Sequence, residues 1–471
     1  MGLGRDMDRQ GIRKIFTENF FADHSVCDQF LYFLASRELH DKGAYHKILC
    51  LHGVPGVGKR TMLHELCRAL GWELVTVKLG EVTSGDGQVV GSFRTDLNAI
   101  AARVVHALDG LAGENVALLL EDLDKINPPG LHNASINFFS VVEQMQQYAV
   151  QNNYKQDQID LGAVTFMATA KNLATVPSGL REQLQVVTLP AYSESDKLKI
   201  VKKYILPQLS DTYRLEGRCQ FSENAIKKLI REYSREGGVR QVKADLETIC
   251  KKIVLRLSDK NDERSERVFT NHISKLMGPA RYPLRKDQAK DTIGVISLLG
   301  KSDKGGCTLL MESLALLGVG KVLITGNTDR LFEESAKVAV SYLRSNAKVI
   351  GIQEDFFRRV DMHLHMQYGQ VPKYGVSAGT GIVTALVSAL SGKPVRGNIG
   401  VTGEVSLHGR ILGVNDIRDK VLGACQAGLT DIFLPLENAR EVRNLSVDIL
   451  RSITIIMVDD VQGLLRKAIV W

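Results

Sequence analysis

Short apolar runs and helix-period stretches alternate along the first two hundred residues. Apolar residues recur at helical spacing over 12–40. The run KILCL at 47–51 ends at a glycine-rich turn and reads as a buried strand. A helical pattern at 60–70 follows, then strands at 73–77, 116–120 (VALLL), 164–168 (VTFMA) and 186–189. Strands alternating with helices predict a parallel sheet with crossover connections. From 194 to about 257 the pattern is almost purely helical and predicts a small separate domain. A highly charged stretch ending in GPARYPLRKDQ reads as a linker. After 292 short strands and helices alternate again to the end. The expected fold class is α/β: a parallel-sheet domain with a small helical lid, then an α+β domain. The expected bounds are 1–46 for an N-terminal helical segment, 47–192 for the large α/β domain, 193–268 for the helical domain, 269–290 for the linker and 291–471 for the last domain.

Composition narrows this picture. With 471 residues, 44% apolar and 24% charged, the chain can bury several cores, which argues against a disordered or disulfide-scaffold protein. A net charge of +7, scattered along the chain, permits acidic partners but does not by itself argue for nucleic acid. The seven cysteines form no CxxC pair and are odd in number, so they read as reduced thiols without a zinc site. The N-terminus carries no apolar leader, and the longest apolar run, 381–390, is too short to span a bilayer. The expected location is the cytoplasm, with an organelle matrix as the alternative, and no membrane partner.

The first chemical signal is Gly53-Val-Pro-Gly56-Val-Gly58-Lys59, which fits GxxxxGK between a predicted strand and a predicted helix. Its glycines let backbone N–H groups approach a phosphate, the helix start adds its positive end, and Lys59 reaches the terminal phosphates. The next position should carry a hydroxyl for Mg²⁺, but it is Arg60; Thr61 points about 100° away. A guanidinium where a metal should sit repels that metal. The predicted strand at 116–120 ends in Glu121-Asp122-Leu123-Asp124-Lys125, where nucleotide hydrolases hold Mg²⁺ and position water. The second signal is Lys373-Tyr-Gly-Val-Ser377-Ala-Gly379 ahead of an apolar helical pattern. Ser377 then stands at a helix start, where N–H groups can face a developing oxyanion. A serine ahead of a helix is ordinarily only a cap; the surrounding PKxGxSAG pattern raises it above that.

ILCLHGVPGVGKR, LLLEDLDK, VTFMATAKNLATVPSGLREQLQVV and YSREGGVRQVKADLETICKK resemble, in order, the AAA+ module of Lon proteases. The stretch from VPKYGVSAGTGIV to DKVLGACQAGL resembles the Lon protease domain. The resemblance covers about residue 12 to the end, without the long N-terminal recognition region or the archaeal transmembrane insertion. It implies a ring, a homo-hexamer, of an ATPase fused to a Ser-Lys peptidase. It assigns Ser377 as nucleophile, Lys420 (not Arg418) as its base, and Thr402 as the residue that orients Lys420. Only a lysine can serve here, because burial can strip its proton while a guanidinium keeps its own. The nucleotide residues carried over are Gly53, Gly56, Gly58, Lys59, Glu121, Asp122 and Arg240, the last as a sensor arginine.

The same resemblance exposes departures. Arg60 replaces the metal-binding hydroxyl, Glu121-Asp122 inverts the acidic pair, Lys171 replaces the sensor asparagine with Asn172 beside it, and Gln183 takes the place of the trans arginine, near Arg181. Val89 stands in the pore loop where an aromatic belongs, with Phe93 nearby. Around the peptidase cleft, Tyr374, Val376, Tyr368 and Lys301 also depart, and they bear on substrate preference. The expectation is that Arg60 and Lys171 pair with Glu121 and Asp122, filling the metal and water positions. ATP or ADP and Mg²⁺ are the implied ligands, and these substitutions count against both. His363 and His365 share a strand face, and the expectation there is hydrogen bonding rather than metal. The function read from the sequence is a Lon-like serine endopeptidase of unfolded or loosely folded proteins and peptides, with weak or absent ATP hydrolysis. The alternatives are a conventional ATP-dependent Lon protease, a non-enzymatic chaperone-like ring, and nucleic-acid binding through the basic excess.

Overall fold

A computed structural model describes residues 13–14, 24–39, 47–79, 104–108, 115–125, 138–151, 163–260, 266–283, 290–367 and 376–471. The chain folds as two units, one of Met1–Tyr192 with Lys203–Ile205 and Gly238–Arg240, the other of Ser193–Lys202, Leu206–Gly237 and Gln241–Trp471.

The first unit is built on five parallel strands, β1 (Ile48–His52), β2 (Glu73–Lys78), β3 (Val116–Glu121), β4 (Thr165–Ala170) and β5 (Leu184–Thr188), in the order β2-β3-β4-β1-β5. All five expected strands are present, each within a residue or two of its predicted bounds. The inner strands are continuous apolar runs because helices cover both faces of a parallel sheet. β4 is buried at every position. Ile48, Cys50, Leu118, Leu120 and Phe166 share one core, where Phe139 meets Phe166 edge to face at 5.0 Å. The apolar stripe near the N-terminus forms the helix His24–Leu39; residues 12, 15–23 and 40 of that expectation lie outside the described residues.

The second unit opens with helices Glu194–Ile200, Leu206–Thr212, Glu223–Lys228 and Arg240–Lys260, as the helical pattern predicts. Two short strands, β6 (Cys219–Phe221) and β7 (Glu266–Val268), pair in parallel among them. The first part of the expected linker at 269–290 is helical, and residues 284–289 lie outside the described residues. Residues 270–277 form the helix Thr270–Met277, which buries Ile273 and Leu276, and Arg281 makes a two-pronged ion pair with buried Asp245 at 2.9–3.0 Å. Two apolar anchors among many charges hid this packing, because a charge-rich stretch reads as solvated.

A seven-stranded mixed sheet follows: β8 (Val295–Ser302), β9 (Gly305–Leu317), β10 (Val322–Thr325), β11 (Val360–Met366), β12 (Ile399–Val401), β15 (Asp431–Pro435) and β16 (Thr454–Val458), with the pair β13 (Glu404–Val405) and β14 (Ile411–Leu412) apart from it. The order is β10-β11-β9-β8-β12-β15-β16. β9 runs antiparallel to β8 and β11, and the remaining pairs are parallel.

Side chains alternate across a sheet, and this places two helices on opposite faces. Gly381 of the helix Gly379–Ser391 lies against Leu298, whereas Leu299 of the next position faces Leu429 beyond the helix Ile417–Ala427. The second helix approaches closely at Gly306 and Gly423: a Cβ at Gly306 would fall inside the Asp419 carbonyl, and one at Gly423 would meet the Cys307 backbone. Gly306→Ala should therefore lower the stability of this unit by about 1–3 kcal/mol. Denaturant unfolding of the two proteins checks this.

Candidate active site

The phosphate loop leaves β1 at Gly53, whose N–H donates to the Ala170 carbonyl at 3.2 Å, and ends at Gly58, which caps the helix Lys59–Leu70 with φ 89°. A glycine tolerates that left-handed turn without a Cβ penalty. Gly56 is pressed against the backbone of Arg240, and its carbonyl accepts from Val239 N at 3.1 Å. Arg240 thus stands beside the loop with an exposed side chain. Lys59 is 9% exposed and folds back on its own loop, donating to the carbonyls of Gly53 (2.6 Å) and Val54 (3.1 Å). Burial, then the nearby Lys171 charge, lower its pKa to about 8 against the pull of Asp124 and Asp122.

The acids beside this loop are already matched with cations. Arg60 Nε lies 3.0 Å from Glu121 Oε1. Lys171 Nζ lies 3.1 Å from one oxygen of Asp122, and Lys125 Nζ lies 2.9 Å from the other. Burial raises the Asp122 carboxyl, but the hydrogen bonds from Lys125 and Lys171 outweigh it and hold its pKa below the usual carboxylate range. Asp124 Oδ1 accepts from the Lys171 backbone N–H at 3.0 Å, so the two strand ends are tied together. Asn172 does not take over a pocket role: its side chain caps a short turn through Ala174 N at 3.0 Å. Arg181 is exposed, Gln183 half-buried, and the pore-loop positions Val89 and Phe93 lie outside the described residues. The pairing anticipated for Arg60 and Lys171 is the one present. Sequence reasoning missed the third cation, Lys125, although its spacing one helical turn from Asp122 was a legible signal.

In the second unit Ser377 lies in the short turn Val376–Ala378 that leads into the helix Gly379–Ser391. Lys420 lies in the helix Ile417–Ala427 and is 5% exposed. Thr402, wholly buried at the end of β12, joins them. Its hydroxyl accepts from Lys420 Nζ at 3.1 Å and donates to the Ser377 carbonyl at 3.3 Å, while Gly403 N holds the same carbonyl at 3.0 Å. Among the described residues the link from Lys420 to Ser377 runs through Thr402. Burial is the main cause that lowers the Lys420 pKa to about 8, and Lys301 adds to it, while Asp416 and Glu441 oppose it. Half of the amine is therefore free base near pH 8.

The helix that carries Lys420 starts without a side-chain cap. Asp416 occupies the N-cap position with φ 61° and makes no side-chain cap; its carboxylate pairs with Lys301 Nζ at 2.6 Å. Lys301 also holds Asp419 at 2.9 Å. No spacing in the sequence joins Lys301 to acids more than a hundred residues away, so this contact had no signal there. Tyr368 and Tyr374 lie outside the described residues, as does the Val376 side chain. His363 and His365 both face Thr325 Oγ1, at 3.0 and 2.7 Å, and among the described residues no group of metal-ligating side chains gathers anywhere.

Known proteins match this chain throughout. Residues 267–471 fit the family model of the Lon protease (S16) C-terminal proteolytic domain, 215–266 that of the Lon protease AAA+ ATPase lid domain, and 49–189 that of the ATPase family associated with various cellular activities. The Lon protease of Dictyoglomus thermophilum is 33% identical over 98% of this chain and 58% of its own length. That of Geobacter metallireducens is 32% identical over 97% and 55%, and Lon protease 1 of Bacillus subtilis 32% over 98% and 60%. The chain spans a little over half the length of these curated relatives. Thr402→Val should lower the stability of the second unit by about 1–3 kcal/mol, since it strips the buried amine and the Ser377 carbonyl of their shared partner. Thr402→Ser should retain most of it, and denaturant unfolding compares the three.

Proposed function

The chain belongs to the Lon protease family, and on that premise we propose that it is a serine endopeptidase whose nucleotide pocket no longer drives rapid ATP hydrolysis. The observation that carries the first half is the buried Lys420 amine, held on Thr402 beside the Ser377 backbone. Neutral Lys420 takes the Ser377 hydroxyl proton as the oxygen attacks a substrate carbonyl. The resulting ammonium returns that proton to the leaving amine, and an acyl-enzyme remains. Water then attacks the ester, again with Lys420 as base, and frees Ser377. Burial supplies the base: an exposed lysine keeps its proton at neutral pH, whereas at a pKa of about 8 roughly a tenth is free at pH 7.

The second half rests on the cations around the acidic strand end. Arg60 pairs with Glu121, and Lys171 with Lys125 neutralises Asp122. Binding Mg²⁺ there requires breaking these pairs and placing a dication among three cations. Asp122 is also one methylene shorter than the glutamate that usually polarises water, and a displacement on the order of 1 Å costs about 100-fold in rate. Lys59 and Arg240 remain beside the loop, so a nucleotide could still dock without turnover. The substrates proposed are unfolded or loosely folded proteins and peptides, cut by a homo-hexamer in the cytoplasm. Among the described residues no helix is long and apolar enough to cross a membrane.

Fluorogenic-peptide and casein cleavage by wild type, Ser377→Ala and Lys420→Ala, with and without Mg-ATP, tests the reading. Both variants should lose cleavage by at least about 1,000-fold. The wild-type rate should rise with pH through about 8 and level off above it, because the neutral amine is the active form. Mg-ATP should change cleavage less than about twofold, an energetic effect within the spread of ordinary surface substitutions. Strong ATP stimulation with phosphate release would make the protein a conventional ATP-dependent protease. Unchanged binding of unfolded chains with no cleavage at all would make it a chaperone-like ring.

The pocket has its own test. The double variant Arg60→Thr, Lys171→Asn should bind Mg-ADP on the order of tenfold more tightly than wild type, as read by calorimetry. Equal affinities would mean that the ion pairs do not guard the metal position.

A further inference from the structure

Lys301 occupies a place that neither the dyad chemistry nor the fold explains. It lies near the end of β8, directly opposite Gly306 of β9. Gly306 is where the helix Ile417–Ala427 comes closest to the sheet, against the Asp419 carbonyl. This close approach lets one ammonium reach two carboxylates at the start of that helix, Asp416 Oδ1 at 2.6 Å and Asp419 Oδ2 at 2.9 Å. Asp416 is the residue whose carbonyl accepts the Lys420 backbone N–H, at 3.0 Å. Its left-handed backbone, φ 61°, is one that few residues other than glycine, asparagine and aspartate adopt. The clamp therefore holds the turn from which Lys420 projects.

The charges around Lys420 give the clamp an electrostatic consequence. The amine is influenced by Asp416 on its own helix, by Glu441 on the helix Ala439–Arg443 and by Lys301 on β8. The two acids favour an ammonium at position 420, and the cation opposes it. Asp419, one residue before Lys420, is mostly buried and also tied to Lys301. Without Lys301, Asp416 and Asp419 would stand unpaired next to a base that must lose its proton.

We propose that Lys301 is a positioning residue for peptide cleavage: it clamps Asp416 and Asp419 and offsets their charge, so that Lys420 can work as a free amine near neutral pH. This rests on the Ser377–Lys420 reading of the site. Burial lowers the Lys301 pKa, but the hydrogen bonds to the two acids outweigh it and raise the pKa above the ordinary lysine value. Lys301 therefore stays charged across the range in which Lys420 titrates.

The test is the pH profile of kcat/KM for a fluorogenic peptide, measured on the full chain. In Lys301→Met the acidic limb should move up by about one half to one pH unit. Cleavage at pH 7 should then fall about three- to tenfold, while the high-pH plateau stays close to wild type. Lys301→Arg should keep the wild-type limb. Asp416→Asn removes an anion and keeps the cation, so its limb should move the other way, to lower pH. A limb unmoved in Lys301→Met, or a loss equal at every pH, would overturn the proposal and leave Lys301 a structural tie. If Lys301→Met proves unfolded by circular dichroism, Asp416→Asn decides: a downward move supports the proposal and an unmoved limb overturns it. Ser377→Ala and Lys420→Ala run alongside separate the two failures. Retained cleavage in either would sink the dyad itself, whatever position 301 does.

Discussion

An amine buried to 5% exposure and held by a threonine hydroxyl is the constraint on which the proposed peptidase site depends. Lys420 lies in one helix and Ser377 in the turn that leads into another, and these two helices pack on opposite faces of the mixed sheet. They can meet only where a strand between them ends. β12 ends at that point, and Thr402, the next residue, stands at the strand end with a hydroxyl that accepts from Lys420 and donates to the Ser377 carbonyl. The close seating of the helix Ile417–Ala427 at Gly306 and Gly423 follows from the same need. A helix standing further off would bring Lys420 into water, and water would restore its proton.

The nucleotide pocket obeys the same rule with the opposite result. A partly buried charge needs a counter-charge, and in a working phosphate site the metal supplies it. Here the chain supplies it instead. Glu121 has Arg60, and Asp122 has Lys171 and Lys125. Losing the metal-binding hydroxyl and the sensor amide would by itself leave two acids poorly matched. Cations at these positions pair with the acids from within the chain. The substitutions are therefore coupled: each cation is intelligible once the other acid is considered.

The sequence carried much of this and failed in places with a physical cause. The five strands of the first sheet were legible because parallel strands are continuous apolar runs between helix-period segments. The assignment of Ser377 and Lys420 comes from a resemblance spanning long motifs, and the structure links the two through Thr402; the pairing of Arg60 and Lys171 was legible through the chemistry of a cation where a metal belongs. The helix Thr270–Met277 was not legible, since only Ile273 and Leu276 anchor it in a charged stretch. Nor was the Lys301 clamp, because contacts between residues 301 and 416 arise from the register of β8 with β9 and from one glycine contact, neither of which leaves a local pattern.

The two pockets also differ in how much change they tolerate. The Ser-Lys chemistry needs one neutral amine, and burial provides that through bulk and shape, which many side chains around the site share. Phosphoryl transfer needs a metal, a water and several charges within fractions of an ångström, and it fails when any one is displaced. Substitutions that accumulate evenly over such a chain would therefore disable the nucleotide chemistry first. A site that keeps Lys420 buried, with Lys301 paired to the two acids beside it, fits that order.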